Sequence, residues 1–174
     1  MKITANHEIF VLDNYPRQDL LLKDLGDYFE NHKDCQNRQT NVKATMTEWN
    51  LDLPSQEFIH FKNTIYTVAK ELNLYWACPF KIYSIWANIY RKGDHTVSHD
   101  HDPARYSFVY FLKSKSNFSP LLFEGINLKN KKKQWKEVKP IEGRLVIFPG
   151  FLKHRVPVHI HDETRITISG NFSQ

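Results

Sequence analysis

The stretch that decides the reading of this chain is Tyr90-Arg91-Lys92-Gly93-Asp94-His95-Thr96-Val97-Ser98-His99-Asp100-His101-Asp102. In extended backbone, successive side chains point to opposite faces, so His99 and His101 share one face. Two imidazoles on one side of a strand supply two-thirds of a facial metal site, which leaves open positions for substrate or oxygen. The third donor must come from elsewhere in the chain, and His154 is the candidate. It follows Leu145-Val146-Ile147-Phe148-Pro149-Gly150, an apolar run that reads as a buried strand ending in a turn. Iron, zinc and copper all accept imidazole, so the histidines alone do not name the metal. A second His-x-His pair, His159-Ile160-His161, precedes Asp162-Glu163-Thr164 in what reads as a hairpin loop; it is not assigned a metal.

Outward from this stretch, Lys81–Tyr90 alternates, with Ile82, Ser84, Trp86, Asn88 and Tyr90 on one face and Tyr83, Ile85, Ala87 and Ile89 on the other. Tyr106–Leu112 is an aromatic strand. Leu121–Phe123 is a short one, joined through a lysine-rich hairpin (Lys129, Lys131, Lys132, Lys133) to a return strand at Trp135–Val138. Gly143 turns the chain into a strand over 144–148, and 154–160 and 164–172 are expected to form the last pair. Upstream of Pro79 the period is helical. Asp52 or Ser55 caps a helix with Pro54 in its first turn and Phe58, Phe61, Ile65, Val68 and Leu72 on its buried stripe. An earlier helix over 17–31 carries Leu20, Leu21, Leu25, Tyr28 and Phe29. A strand over 7–12 precedes it, and Thr45–Trp49 reads as an edge strand. Helices followed by many short strands, with Gly and Pro turns, predict a mainly β protein in which N-terminal helices support a β-sandwich or jelly roll.

Composition sets the outer limits. A chain of 174 residues suits one domain with a substantial core, and twelve Phe, eight Tyr and four Trp fill it well. The net charge of +5 suits an acidic substrate or a nucleic acid without choosing between them. Cys35 and Cys78 make no disulfide framework, the N-terminus lacks a signal-peptide core, and no run reaches membrane-spanning length. The expectation is a cytoplasmic protein.

Several ordered elements together carry a family resemblance. They are Tyr90-x-x-Gly93-x5-His99-x-His101, the strand Tyr110-Phe111-Leu112, then Gly143-x-Leu145-x-x-Phe148-Pro149-x4-His154-x-Val156, and finally Arg165-x3-Ser169. This set resembles the Fe(II)- and 2-oxoglutarate-dependent oxygenases, in their prolyl-4-hydroxylase-like branch, and above all its small phage and bacterial members. It covers roughly residues 82–172. The resemblance implies a cupin-like double-stranded β-helix over 81–174, with residues 1–80 as a supporting strand and helices of the same domain. It implies Fe(II) on His99 and His154, and 2-oxoglutarate with its distal carboxylate on Arg165. Ser169 adds a hydroxyl to that carboxylate, and Tyr90 and Asn88 contact co-substrate or substrate. Oxygen is consumed, 2-oxoglutarate is decarboxylated to succinate, and a substrate carbon is hydroxylated; ascorbate supports turnover. The branch points to a peptidyl or amino-acid side chain as substrate.

Two departures stand out. The family writes His-x-Asp where this chain has His99-x-His101, so a three-histidine site is expected, with Asp102 as the alternative third ligand and Asp100 pointing the wrong way. Phe111 stands where many relatives carry a tyrosine that reaches the co-substrate. The same histidines also resemble the cupin motif of three-histidine dioxygenases such as those acting on thiols, although the glutamate expected after the His pair is absent and Arg165 has no task there. A third reading is a nucleic-acid-binding β-barrel that uses the Lys129–Lys136 cluster and Trp135.

Overall fold

The computed structural model describes residues 2–4, 8–13, 18–32, 40–72, 74, 81–127 and 129–172. Cys35, Cys78 and Pro79 lie outside the described residues. In chain order the elements are β1 (Lys2–Thr4), β2 (Glu8–Leu12), α1 (Gln18–Asn31), β3 (Val42–Lys43), β4 (Thr45–Met46) and α2 (Gln56–Glu71). They continue with β5 (Ile82–Tyr90), β6 (His95–His99), β7 (Tyr106–Lys113), β8 (Leu121–Ile126), β9 (Lys133–Val138), β10 (Leu145–Pro149), β11 (His154–Val156) and β12 (Arg165–Phe172).

The strands form two antiparallel sheets. Seven strands run in the order β1-β2-β10-β7-β12-β5-β4, and five in the order β3-β6-β11-β8-β9. The period of two in the central strands explains how one sheet serves two cores. In β7, Phe108, Tyr110 and Leu112 face the helices, where they join Leu21, Leu25, Phe58, Phe61 and Ile65. Val109 and Phe111 face the other way and meet Phe123, Val138, Phe148 and Val156 in the space between the sheets. Each large apolar side chain buried in either layer contributes about 1.5–3 kcal/mol relative to exposure. This is the expected jelly roll with helices on its outer face.

Helix α2 begins at Ser55, whose hydroxyl accepts the Phe58 amide at 3.1 Å. Ser55, not Asp52, is therefore the cap, and Pro54 stands just before the helix rather than in its first turn. Its buried residues are Phe58, Phe61, Ile65 and Ala69, with Val68 and Leu72 packed at the margin. In α1, Leu21 and Leu25 are buried but Leu20 is 51 % exposed, and Leu22 packs in its place. Leu20 and Leu22 lie on either side of Leu21, so a small rotation of the helix exchanges them.

Two further expectations change. Thr45–Met46 is indeed an edge strand beside β5, but it ends before Trp49. The segments 154–160 and 164–172 are not partners: β11 pairs with β6 and β8 in one sheet, while β12 pairs with β5 and β7 in the other. The chain crosses between the sheets after Val156, so sequence neighbours belong to opposite walls.

Candidate metal centre and its anion cradle

The register of β6 against β11 builds the centre. His99 and His154 are direct partners across this antiparallel pair, which puts their side chains on the same face. Their rings lie 4.4 Å apart between centroids. His101 joins by a different route from the one its spacing suggests. Strand β6 ends at His99, and His101 begins a turn in which its amide donates to Gly150 O at 2.7 Å and its carbonyl accepts from Ala104 N at 2.7 Å. The ring of His101 then stands 4.9 Å from that of His99 and 5.0 Å from that of His154. One nitrogen from each of the three imidazoles lies within 4.8 Å of the others. Among the described residues this is the one such gathering of potential metal donors, and neither Asp100 nor Asp102 belongs to it.

Gly150 permits the arrangement. A Cβ built there would sit 2.0 Å from Ala104 O, so the turn that carries His101 packs against bare backbone. The imidazoles are also oriented. His99 Nδ1 lies 2.9 Å from Val97 O, and His154 Nδ1 lies 2.9 Å from Leu152 O. A carbonyl accepts only, so each Nδ1 carries the proton and each Nε2 keeps its lone pair. Burial pushes all three histidines toward the neutral form. His154 is held well below the usual imidazole value, and His101 is lowered to about 3, with the neighbouring imidazoles adding to the effect. Three neutral nitrogen donors, two of them oriented by backbone carbonyls, suit a divalent transition metal.

The seven-stranded sheet supplies the opposite wall. Cross-strand pairing sets Arg165 against Tyr90, Thr167 against Asn88 and Ser169 against Trp86, and these six residues line the same cavity as the histidines. That cavity lies between the two sheets. The polar alternation in β12 therefore faces the interior: Arg165, Thr167, Ser169 and Asn171 are all buried. Arg165 is 1 % exposed, and its Nη1 donates to Ser119 O at 2.6 Å. Its guanidinium lies 5.0 Å from the ring centroids of both Tyr90 and Phe111. Nε has no acceptor, and no carboxylate among the described residues pairs with the group. Burial lowers its pKa to about 10, so it remains a cation at neutral pH. A buried guanidinium without a counter-charge is costly unless an anion completes it.

The other expected contributors fall as follows. Asn88 donates to Thr167 Oγ1 at 3.3 Å and leaves its Oδ1 without a partner. The Tyr90 hydroxyl is committed to Thr96 Oγ1 at 2.7 Å, a bond the sequence did not reveal. Ser169 is buried on the cavity wall. Phe111 offers its ring face to Arg165 and no hydroxyl. Trp86 was visible only as a strand residue, yet it lines the cavity and approaches His101 to 5.7 Å; its period-two position beside Asn88 was the available signal. The second pair, His159 and His161, sits apart: His159 Nε2 lies 2.8 Å from Glu163 O and His161 Nε2 3.1 Å from Asn117 O.

The family model described as "Putative 2OG-Fe(II) oxygenase" matches residues 84–171. The chain belongs to that family. This 2-oxoglutarate-dependent oxygenase shares its fold with solved relatives of low sequence identity. A Pseudomonas putida prolyl-4-hydroxylase superposes with a TM-score of 0.73 at 15 % identity, covering 98 % of this chain and 94 % of the other. A viral collagen prolyl hydroxylase from Paramecium bursaria Chlorella virus-1 gives 0.64 at 11 % identity, with 94 % of each chain covered. The non-haem α-ketoglutarate-dependent epimerase SnoN of nogalamycin biosynthesis gives 0.72 at 10 % identity, covering 95 % and 77 %. The two sheets are thus the double-stranded β-helix of these enzymes. No curated protein matches the sequence. No helix among the described residues is long and apolar enough to cross a membrane.

Proposed function

We propose that this oxygenase binds Fe(II) through His99, His101 and His154, binds 2-oxoglutarate against Arg165, and hydroxylates a peptidyl or amino-acid side chain. One observation carries the reading: three neutral imidazoles converge on one wall of a cavity whose other wall holds a buried guanidinium with no acidic partner among the described residues. The two groups complement the two ends of a keto diacid. With Fe(II) bound, the centre supplies oxygen activation coupled to decarboxylation of 2-oxoglutarate to succinate, and ascorbate keeps the iron reduced.

The residues of the chain do the rest. Arg165 receives the distal carboxylate, in the forked geometry a guanidinium offers, and Ser169 adds a hydroxyl from the same strand face. Asn88, with its free Oδ1, and Tyr90, held through Thr96, shape the wall beside the keto acid. The carbonyls of Val97 and Leu152 fix two of the imidazoles, so the donors need no reorganisation when the metal arrives. Phe123, Phe148 and Val156 exclude water behind the centre. Residues 81–174 act in this scheme as the catalytic β-core and residues 1–80 as its support.

Anaerobic addition of 2-oxoglutarate to the Fe(II)-loaded protein tests the proposal. A keto-acid charge-transfer band is expected, followed by succinate formation on admitting oxygen; absence of the band would overturn it. Three histidines also suit a cupin-type thiol dioxygenase, but such an enzyme leaves the buried Arg165 without a task. A nucleic-acid-binding reading would rest on the Lys129–Lys136 cluster and Trp135, one face of whose ring is already taken by the Arg155 guanidinium at 4.4 Å, and it too leaves the buried Arg165 without a task.

A further inference from the structure

A second cavity opens on the outer side of His99 and His101, enclosing about 1090 Å³ of space that includes open solvent. It is separate from the space around Arg165 but shares Val42, Trp86 and the two histidines with it. A substrate carbon reaching the centre from outside enters here, so the chemistry of these walls selects the substrate.

The walls are aromatic and anionic. Trp49 is 40 % exposed and Tyr83 50 % exposed, high values for large rings, and both line the cleft beside the buried Trp86. Trp49 packs edge-on to Trp86 at 4.7 Å, so the two indoles are fixed relative to one another. Trp86 is 3 % exposed and its indole Nε1–H has no acceptor. Asp100 and Asp102 line the same cleft on either side of His101, and no cationic side chain among the described residues pairs with either. The Asp100 carboxylate only accepts the Asp102 amide, at 3.4 Å. Lys43 is the one lysine or arginine on these walls and burial keeps the two histidines toward the neutral form, which leaves two carboxylates against one ammonium. A protein of net charge +5 has thus concentrated unpaired negative charge and exposed π-faces at the entrance to its centre.

Aromatic faces and carboxylates share one ligand preference, a cation. We infer that the substrate of this oxygenase carries a protonated amine or guanidinium, held among Trp49, Tyr83, Asp100 and Asp102 while its neighbouring C–H faces the histidine centre. This inference rests on the oxygenase reading of that centre. It reverses the acidic preference suggested by overall charge, because the local field at the entrance has the opposite sign to the net charge. The shared chemistry is a basic side chain, from a free amino acid or from a residue within a peptide.

The test uses the full chain loaded with Fe(II) and 2-oxoglutarate under anaerobic conditions, with tryptophan fluorescence as the binding readout. Probes are otherwise identical short peptides bearing Lys, Arg, norleucine or Glu at one position, and free lysine and arginine. The Lys or Arg peptide is expected to bind about tenfold or more tighter than the norleucine and Glu peptides, with affinity falling as salt rises. Binding of the free amino acids with the same selectivity assigns a small-molecule substrate; selectivity confined to the peptides assigns a peptidyl one. Asp102→Lys, a change at an exposed position, should invert the order in favour of the Glu peptide. Equal binding of all four peptides, or an order unmoved by Asp102→Lys, would overturn the inference. If that happens while the 2-oxoglutarate band is present, only the substrate assignment falls. Charge selectivity without the band would overturn the oxygenase reading and leave the cleft a cation-binding surface.

Discussion

His99 and His154 are register partners across the β6–β11 pair, and their rings approach to 4.4 Å. Two distant segments of sequence are thereby fixed by backbone hydrogen bonding before any metal arrives. His154→Ala is expected to weaken iron binding by more than the ~10–100-fold typical of losing a supporting partner, because no neighbouring donor can replace it. Metal analysis after gel filtration checks this; stoichiometric iron in the variant would remove His154 from the ligand set.

Position 101 decides the third ligand. His101→Asp restores the carboxylate of the family pattern and should retain iron, whereas Asp102→Asn should also retain it, because Asp102 lies outside the gathered donors. Loss of iron from Asp102→Asn, measured by the same metal analysis, would transfer the role to that carboxylate.

Arg165 is tested through stabilisation by its ligand. In the wild type, 2-oxoglutarate with a redox-inert divalent metal should raise the melting temperature, since binding to the native state alone stabilises it. Arg165→Met should abolish most of that rise and weaken 2-oxoglutarate binding by about 2–5 kcal/mol, the range for breaking a desolvated charge pair. An undiminished thermal shift would take Arg165 out of the cradle.

The buried histidines make the metal-free protein sensitive to acid. In the unfolded chain each imidazole gains a proton near the ordinary value of 6.5, whereas in the native state burial delays this, down to about 3 for His101. The unfolded state therefore binds more protons through that window, and stability falls as pH drops from 6.5 toward 3. Melting curves of the metal-free protein between pH 7.5 and pH 5 should show the decline, and His101→Asn should make it shallower. A melting temperature independent of pH over this range would contradict the burial argument.

Gly150→Ala should act on iron from outside the ligand set. Its Cβ would meet Ala104 O at 2.0 Å, so the turn bearing His101 must move. Iron affinity is expected to fall about tenfold or more while the fold persists, a shift readable by competition with a chelator. Unaltered affinity would show that the turn accommodates the methyl group without displacing His101.

Much of this was legible in the sequence for a definable reason. Alternation in β5 and β12 is a local property, so the shared face of Trp86, Asn88 and Tyr90, and that of Arg165, Thr167 and Ser169, could be read before any fold was known. The capping of α2 by Ser55 and its buried stripe are equally local. What could not be read was which sheet each strand joins. The segment around His154 and the strand from Arg165 look like a hairpin in sequence, and nothing local says that the chain crosses between layers after Val156. The position of His101 was foreseen, but its route was not, because a turn held by Gly150 O delivers the same convergence as an extended strand. The bond of Tyr90 to Thr96 spans six residues but joins strands of opposite sheets, and Arg155 reaches the Trp135 ring from another strand; local pattern encodes neither.

The histidines hang from the five-stranded sheet and the guanidinium from the seven-stranded one, so the distance between the two ends of the cavity equals the spacing of the layers. Phe123 and Phe148, edge to face at 4.9 Å, are wedged in that gap. They act as a gauge block: thinning it, as Phe123→Leu would, leaves a void that the two walls fill only in part, and so changes how the walls sit on each other. Under the proposed reading, the reach from the imidazoles to the guanidinium therefore depends on an apolar layer as well as on the residues that would touch the keto acid.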